Sequence, residues 1–92
     1  MAEVMTRTEI RVTVTFPITK KGPFEEQVAR DATVGAVRTA AMRHFGVQDD
    51  SQFTYVLAHD GVEQDNGRTV AEVAGHAEAV KFTLVKKITQ GG

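Results

Sequence analysis

The sequence has no cysteine among its 92 residues. This absence excludes a disulfide framework, an iron–sulfur cluster held by thiolates and a cysteine nucleophile. No stretch approaches the roughly 20 apolar residues that a membrane-spanning helix requires. The first eight residues also lack the apolar segment of a signal peptide. Together these absences predict a cytoplasmic protein with no membrane partner.

The sequence also has no large excess of positive or negative residues. Eleven basic residues nearly balance twelve acidic ones, and the formal net charge is -1. Without a strong field of either sign, nucleic acid is not an expected partner. The three histidines have no metal-ligand spacing, and Asp49-Asp50 indicates a solvated loop, so no metal site and no cofactor are expected. No nucleophile, base and orienting acid can be assembled, which predicts that the chain is not an enzyme.

The chain does contain short amphipathic patterns, and its length suits one domain. Residues 9–16 alternate between apolar and polar side chains, which predicts a strand with one buried face. After a turn with prolines and a glycine, residues 24–30 form a weaker second strand. Further strands are predicted at 53–58 and 79–85. A brief helical turn is predicted after Thr69.

A helix is predicted between the second and third strands. Thr33 is a suitable N-cap and Gly46 a suitable residue after the last turn, although Gly35 should weaken the helix by up to about 1 kcal/mol. One apolar stripe runs along it: Val34, Val37, Ala41 and Phe45. A single helix crossing a mixed sheet of four to five strands would bury all these patterns in one core, an α+β architecture.

Three segments resemble ubiquitin. Asp65-Asn66-Gly67-Arg68-Thr69-Val70 looks like the Asp-Gly-Arg-Thr-Leu segment before ubiquitin's short helical turn, and Asp31-Ala32-Thr33-Val34 is similar to the start of its helix. Leu84-Val85-Lys86-Lys87-Ile88, leading to Gly91-Gly92, resembles its last strand and diglycine end. The chain thus resembles the ubiquitin and SUMO family, including bacterial ubiquitin-like proteins encoded beside their own conjugation enzymes. The resemblance implies a β-grasp domain at 8–87, between a flexible N-terminus at 1–7 and a flexible tail at 88–92.

The resemblance also implies a protein modifier. In the family, an ATP-dependent activating enzyme captures the terminal carboxylate, here that of Gly92, and a conjugating enzyme helps transfer it to target-protein lysines as an isopeptide; a deconjugating protease reverses the step. Gly91 and Gly92 lack Cβ atoms and can thread a narrow channel. The expected modifier is a monomer. The residues expected to guide tail recognition are Lys86, Lys87, Ile88, Thr89 and Gln90, with the two lysines forming a basic collar.

The residues before the diglycine differ from those of ubiquitin, whereas three apolar residues extend the resemblance to its surface. Thr89-Gln90 stands where ubiquitin has arginine, which predicts a dedicated activating enzyme and a tail more like that of SUMO. Ile18, Val56 and Val85 resemble the positions of ubiquitin's hydrophobic patch and are the predicted partner-binding patch; the alternative is scattered surface residues. Five lysines are possible sites for attachment of a second copy of the modifier: Lys20, Lys21, Lys81, Lys86 and Lys87. The alternative is that they serve only as solubilising surface charges.

Two other functions remain open. The same carboxylate of Gly92 could become a thiocarboxylate in a sulfur carrier, or the chain could be a non-covalent β-grasp adaptor with incidental glycines. At a glycine usage of about 7%, two terminal glycines arise by chance in about one chain in 200. The ubiquitin-like segment Gly67-Arg68-Thr69 favours the modifier over the sulfur carrier.

Overall fold

The computed structural model describes residues 9–88, so the predictions for 1–7 and for Thr89, Gln90, Gly91 and Gly92 lie outside the described residues. The elements are β1 (Glu9–Thr15), β2 (Phe24–Ala29), α1 (Val34–Phe45), β3 (Phe53–His59), β4 (Val62–Glu63), α2 (Val70–Ala74) and β5 (Ala79–Ile88). The strands form one mixed sheet in the order β2-β1-β5-β3-β4. Only β1 and β5 are parallel; the other neighbours are antiparallel. The predicted α+β architecture, a mixed sheet of four to five strands crossed by one helix, is confirmed.

The core lies between α1 and one face of the sheet. The alternation predicted for β1 is confirmed, because Ile10, Val12 and Val14 are fully buried while the residues between them are not. The helix contributes its predicted stripe, and β5 contributes Phe82 and Leu84. Burying each large aliphatic or aromatic side chain is worth about 1.5–3 kcal/mol relative to exposure. The fold therefore follows from the spacing of the apolar residues, every second residue in the strands and every third or fourth in the helix, because this spacing places them all on the buried side.

Both predicted ends of α1 are confirmed. The Thr33 hydroxyl accepts a hydrogen bond from the Ala36 N–H at 3.1 Å. Gly46 ends the helix in the left-handed region, with φ of 73°, and its N–H donates to the Arg43 carbonyl. Such caps satisfy backbone groups that the helix itself leaves unpaired.

Gly35, which was expected only to weaken the helix, has a packing role. Its N–H donates to the Asn66 carbonyl at 3.0 Å. A Cβ atom at this position would lie 3.2 Å from both the Asn66 carbonyl oxygen and the Asn66 Cβ. The glycine therefore allows the 65–67 turn to approach the first turn of α1, a contact that no local pattern could reveal.

The ubiquitin-like segment 65–70 connects the starts of the two helices. Val34 N–H donates to the Arg68 carbonyl at 2.8 Å, and Val70 N–H donates to the Ala32 carbonyl at 2.8 Å. Thr69 caps α2 with a capping box, in which its hydroxyl accepts from Glu72 N–H and the Glu72 carboxylate accepts from Thr69 N–H. The helical turn predicted after Thr69 is confirmed.

The structure extends the sequence predictions at two strands. β5 continues through Ile88, three residues past its predicted end at Val85 and one residue into the segment assigned to the tail. The pairing continues because β3 begins at Phe53, which lies opposite Ile88. β4 was not predicted as a strand, since two residues are too few to show alternation; it pairs with Ala58 and His59.

Candidate functional site

Two of the predicted patch residues, Val56 and Val85, lie on the sheet face that points away from α1, and the third, Ile18, lies in the turn after β1 beside Val85. Val56 and Val85 are directly opposite each other in the antiparallel β3–β5 pair. Ile18 and Val85 line the same surface groove of about 240 Å³. Ile18 is 70% exposed and Val85 36% exposed. Side chains 56 and 85 are outward because their neighbours Tyr55, Leu57 and Leu84 fill the core. We call these three residues the outer patch.

The turn that carries Ile18 is fixed at both of its sides. Thr19 N–H donates to the Phe16 carbonyl at 3.1 Å, which closes the turn after β1. The Lys21 ammonium donates to the His44 carbonyl at 2.6 Å, near the C-terminal end of α1 where a cation is favoured. The His44 ring in turn packs against the Phe24 ring in a tilted arrangement, with centroids 5.4 Å apart. These contacts hold Ile18 at the surface beside the end of β5.

Lys86 and Lys87, which were predicted to form a basic collar, both lie in β5. They are consecutive residues of a strand, so their side chains point to opposite faces of the sheet. Lys86 Nζ lies 4.0 Å from the centroid of the Phe53 ring. Lys87 Nζ lies 2.8 Å from Glu63 Oε1, across the outer face. Both lysines are exposed, and pairs of this kind contribute about 0–1 kcal/mol, so each remains available to a partner.

The other predicted recognition residues are placed as follows. Ile88 is 75% exposed at the end of β5. Thr89, Gln90, Gly91 and Gly92 lie outside the described residues. Of the other candidate acceptor lysines, Lys21 is engaged with α1, whereas Lys20 and Lys81 are exposed side chains on the turn and on the outer face of β5.

One polar cluster beside this surface was missed by the sequence analysis. Asp49 was assigned to a solvated loop, but its Oδ1 accepts from the Thr54 hydroxyl at 2.8 Å and from the Tyr55 N–H at 3.0 Å. Its Oδ2 pairs with the guanidinium of Arg38 on α1. The hydrogen bond from Arg38 is the main cause that lowers the pKa of the Asp49 carboxyl below its usual value. The cluster fixes the loop after α1 to the start of β3.

The described part of the chain offers little support for other kinds of site. Within residues 9–88, no group of three or more histidine, cysteine, aspartate and glutamate side chains is arranged to hold a metal ion. Neither helix of that range has the length and apolar content needed to cross a bilayer.

Comparisons with solved structures agree with this architecture. The chain superimposes on a Caldiarchaeum subterraneum ubiquitin with a TM-score of 0.71 and 28% sequence identity, over 91% of this chain and 99% of that one. It is also similar to the N-terminal ubiquitin-like domain of the 4931431F19Rik protein, with a TM-score of 0.65 and 15% identity over 99% of this chain and 88% of that one. A molecular mimic of SUMO matches with a TM-score of 0.64 and 14% identity, over 88% of this chain and 95% of that one. No protein-family model and no curated protein matches the chain.

The fold and these neighbours define the class: the chain is a ubiquitin-like protein with the β-grasp fold. At the coarse level its architecture is that of a ubiquitin-like modifier. Ubiquitin-like proteins and domains of this kind are typically non-enzymatic, which agrees with the prediction that the chain is not an enzyme.

Proposed function

We propose that this ubiquitin-like protein is a covalent modifier that is joined to lysines of target proteins through the carboxylate of Gly92. The observation that supports the proposal most is the diglycine at the third and fourth residues beyond the end of β5 in a β-grasp domain. Any residue that followed Gly92 in a precursor would have to be removed first. The partners are an activating enzyme, a conjugating enzyme, a deconjugating protease and the target lysines.

The proposed chemistry has three steps. The Gly92 carboxylate attacks the α-phosphate of ATP, which forms an acyl-adenylate and releases pyrophosphate. A cysteine thiolate of the activating enzyme then displaces AMP and forms a thioester. Finally, a target lysine amine displaces a thiolate and forms the isopeptide bond. Because the reactive cysteines must stay reduced, the cytoplasm is the compartment that suits this sequence of reactions.

The chain itself supplies reach and a recognition surface. Residues 89–92 span at most about 13–14 Å when extended. Ordering that segment costs about 1–2 kcal/mol per residue in backbone entropy, so the folded domain must contribute binding energy of its own. The outer patch suits this role, because it is apolar, its residues Ile18 and Val85 are exposed, and Val85 lies in the strand that leads to the tail.

A substitution in the outer patch tests its role. Val56→Asp places a charge opposite Val85 at a half-buried position of the patch without removing a core side chain, and we expect it to abolish binding to the activating enzyme. The matched control is Val62→Asp, because Val62 is 62% exposed on β4. Circular dichroism spectra would verify folding of both variants. Equal activation of the two variants would contradict a role for the patch.

The reaction at Gly92 is tested by intact-mass measurement. The purified chain is incubated with ATP and a cell lysate from its source organism, and a variant lacking Gly91 and Gly92 serves as the control. Adducts to other proteins that need ATP and the diglycine are expected for a modifier. Replacement of one oxygen by sulfur would indicate the sulfur carrier instead, and an unchanged mass would indicate the non-covalent adaptor. Either of these two outcomes would contradict the proposal.

A further inference from the structure

The last residues of β5 have a neighbouring strand on one side only. β1 accompanies β5 as far as the pair of Thr15 and Thr83. On its other side, β3 accompanies β5 to Ile88. Within the described residues, the backbone of Lys86 to Ile88 therefore faces no strand on the β1 side. An open strand edge of this kind presents main-chain donors and acceptors to an incoming strand.

The register identifies which backbone groups face that side. Arg11 N–H donates to the Glu78 carbonyl at 3.0 Å. Because hydrogen bonds in a parallel pair involve alternate residues, the even-numbered residues of β5 direct their N–H and C=O groups toward β1. Beyond the last pair, these residues are Leu84, Lys86 and Ile88. The odd-numbered residues bond to β3.

Pro17 explains why the ladder between β1 and β5 stops. The next hydrogen-bonding pair in register would set residue 17 opposite Val85, and its N–H would donate to the Leu84 carbonyl. Proline has no N–H, so that bond cannot form. The chain instead turns away, with the Phe16 carbonyl accepting from Thr19 N–H. The Leu84 carbonyl and both backbone groups of Lys86 are left along the gap.

The groove that contains Ile18 lies at this same gap. It is lined by Phe16, Pro17, Ile18, Thr83, Leu84, Val85 and Lys86. Most of these side chains are apolar. Lys86 adds a positively charged side chain, whose Nζ lies over the Phe53 ring of β3, and Lys20 lies two residues after Ile18 in the adjoining turn. The gap thus combines unpaired main-chain groups, an apolar surface and positive charge.

We propose that this gap is a β-addition site for an extended segment of a partner protein. The segment would pair with Leu84 and Lys86, place one aliphatic side chain in the groove beside Ile18, and place a carboxylate near Lys86. A helical partner could not use the open backbone groups, because a helix satisfies its own. The site shares Ile18 and Val85 with the outer patch but does not require conjugation at Gly92, so each proposal can fail alone.

The free edge of β2 is the competing location for strand addition. β2 lies at the end of the sheet, so its outer side is also open. However, its central residues are Glu25, Glu26 and Gln27, which are exposed and polar. Acidic side chains on that edge disfavour an acidic strand. An apolar and acidic peptide should therefore choose the gap beside β5.

The test uses the full chain labelled with ¹⁵N and a capped five-residue peptide of alternating valine and glutamate. We expect a saturable titration with the largest amide shifts at Lys86 and Ile88. The control peptide carries N-methyl groups on alternate residues, which remove the donors that would reach β5. Loss of two such hydrogen bonds should weaken binding by about tenfold or more. Equal affinity of the methylated peptide, or shifts centred on Phe24–Ala29, would overturn the proposal.

Two variants complete the test. Ile18→Asp should weaken peptide binding by about fivefold, because it removes an aliphatic contact and opposes the acidic peptide. Val62→Asp introduces the same charge on β4 and should leave the affinity unchanged. If both variants bind as the unmodified chain does, the groove has no role and the proposal is wrong. If the amide chemical shift of Lys86 changes with protein concentration in the absence of peptide, the open edge of β5 binds a second copy of this chain. That result would also overturn the proposal.

Discussion

Replacing Asp49 with alanine should destabilise the fold more than an exposed aspartate would suggest. The carboxylate is bound by three donors: the Tyr55 N–H, the Thr54 hydroxyl and the guanidinium of Arg38. The alanine variant leaves all three without this acceptor. The loop after α1 then loses its attachment to the start of β3.

The three donors contribute unequally. The Tyr55 N–H is partly buried, and leaving such a group unpaired costs about 1–3 kcal/mol. The pair with Arg38 is partly solvated, because the Asp49 side chain is 43% exposed, so its loss is worth about 0.2–1 kcal/mol. The Thr54 hydroxyl can turn to water at little cost. We therefore expect Asp49→Ala to lower the free energy of unfolding by about 2–3 kcal/mol. Asp49→Asn, which keeps one acceptor oxygen, should lose about half as much.

Urea unfolding followed by circular dichroism measures this difference. The control is Glu26→Ala at an exposed residue of β2, which should change the free energy of unfolding by less than about 0.5 kcal/mol. An Asp49→Ala variant that loses no more than this control would refute the proposed role of the cluster. A loss that is equal in the alanine and asparagine variants would show that charge, and not the Tyr55 hydrogen bond, dominates.

Three further measurements test individual contacts. Folding lowers the pKa of the Asp49 carboxyl, so the ionised carboxylate stabilises the fold at pH values above its unfolded pKa of about 3.9. This stabilisation is lost as the pH falls through the lower pKa of the folded state. Asp49→Asn should therefore flatten the acid side of the profile of unfolding free energy against pH, measured by urea titration. Gly35→Ala gains at most about 1 kcal/mol in helix propensity but forces the Asn66 backbone to move, so we expect a net loss of about 1 kcal/mol in urea unfolding. Thr69→Ala should lower the thermal midpoint by removing the cap on Glu72 N–H, with a cost of about 1 kcal/mol.

Features determined by neighbours along the chain were predicted from sequence. The alternation in β1, the stripe of α1 and the caps at Thr33 and Thr69 all depend on residues a few positions apart. The residues of the outer patch were chosen through resemblance to ubiquitin, and their role in partner binding stays a prediction. The assembly of the patch depends on the register of β3 against β5, which periodicity alone does not specify.

Features that depend on distant contacts were missed. Gly35 carries no local sign that the Asn66 turn approaches it. Asp49 was assigned to a solvated loop because its partner Arg38 lies eleven positions earlier in the sequence. The placement of Lys86 and Lys87 was also missed, because the last strand was predicted to end at Val85, whereas pairing with β3 extends β5 and sends the two side chains to opposite faces.

The central claim, that the Gly92 carboxylate becomes joined to lysines, is tested most directly by mass spectrometry of tryptic peptides from the source organism. Trypsin cuts after Lys87, so a conjugated lysine should retain the remnant Ile88-Thr89-Gln90-Gly91-Gly92. The account predicts this remnant on lysine side chains of other proteins, and its loss when the diglycine is deleted. Recovery of the C-terminal peptide only as a free acid or a thiocarboxylate, with no lysine carrying the remnant, would contradict the account.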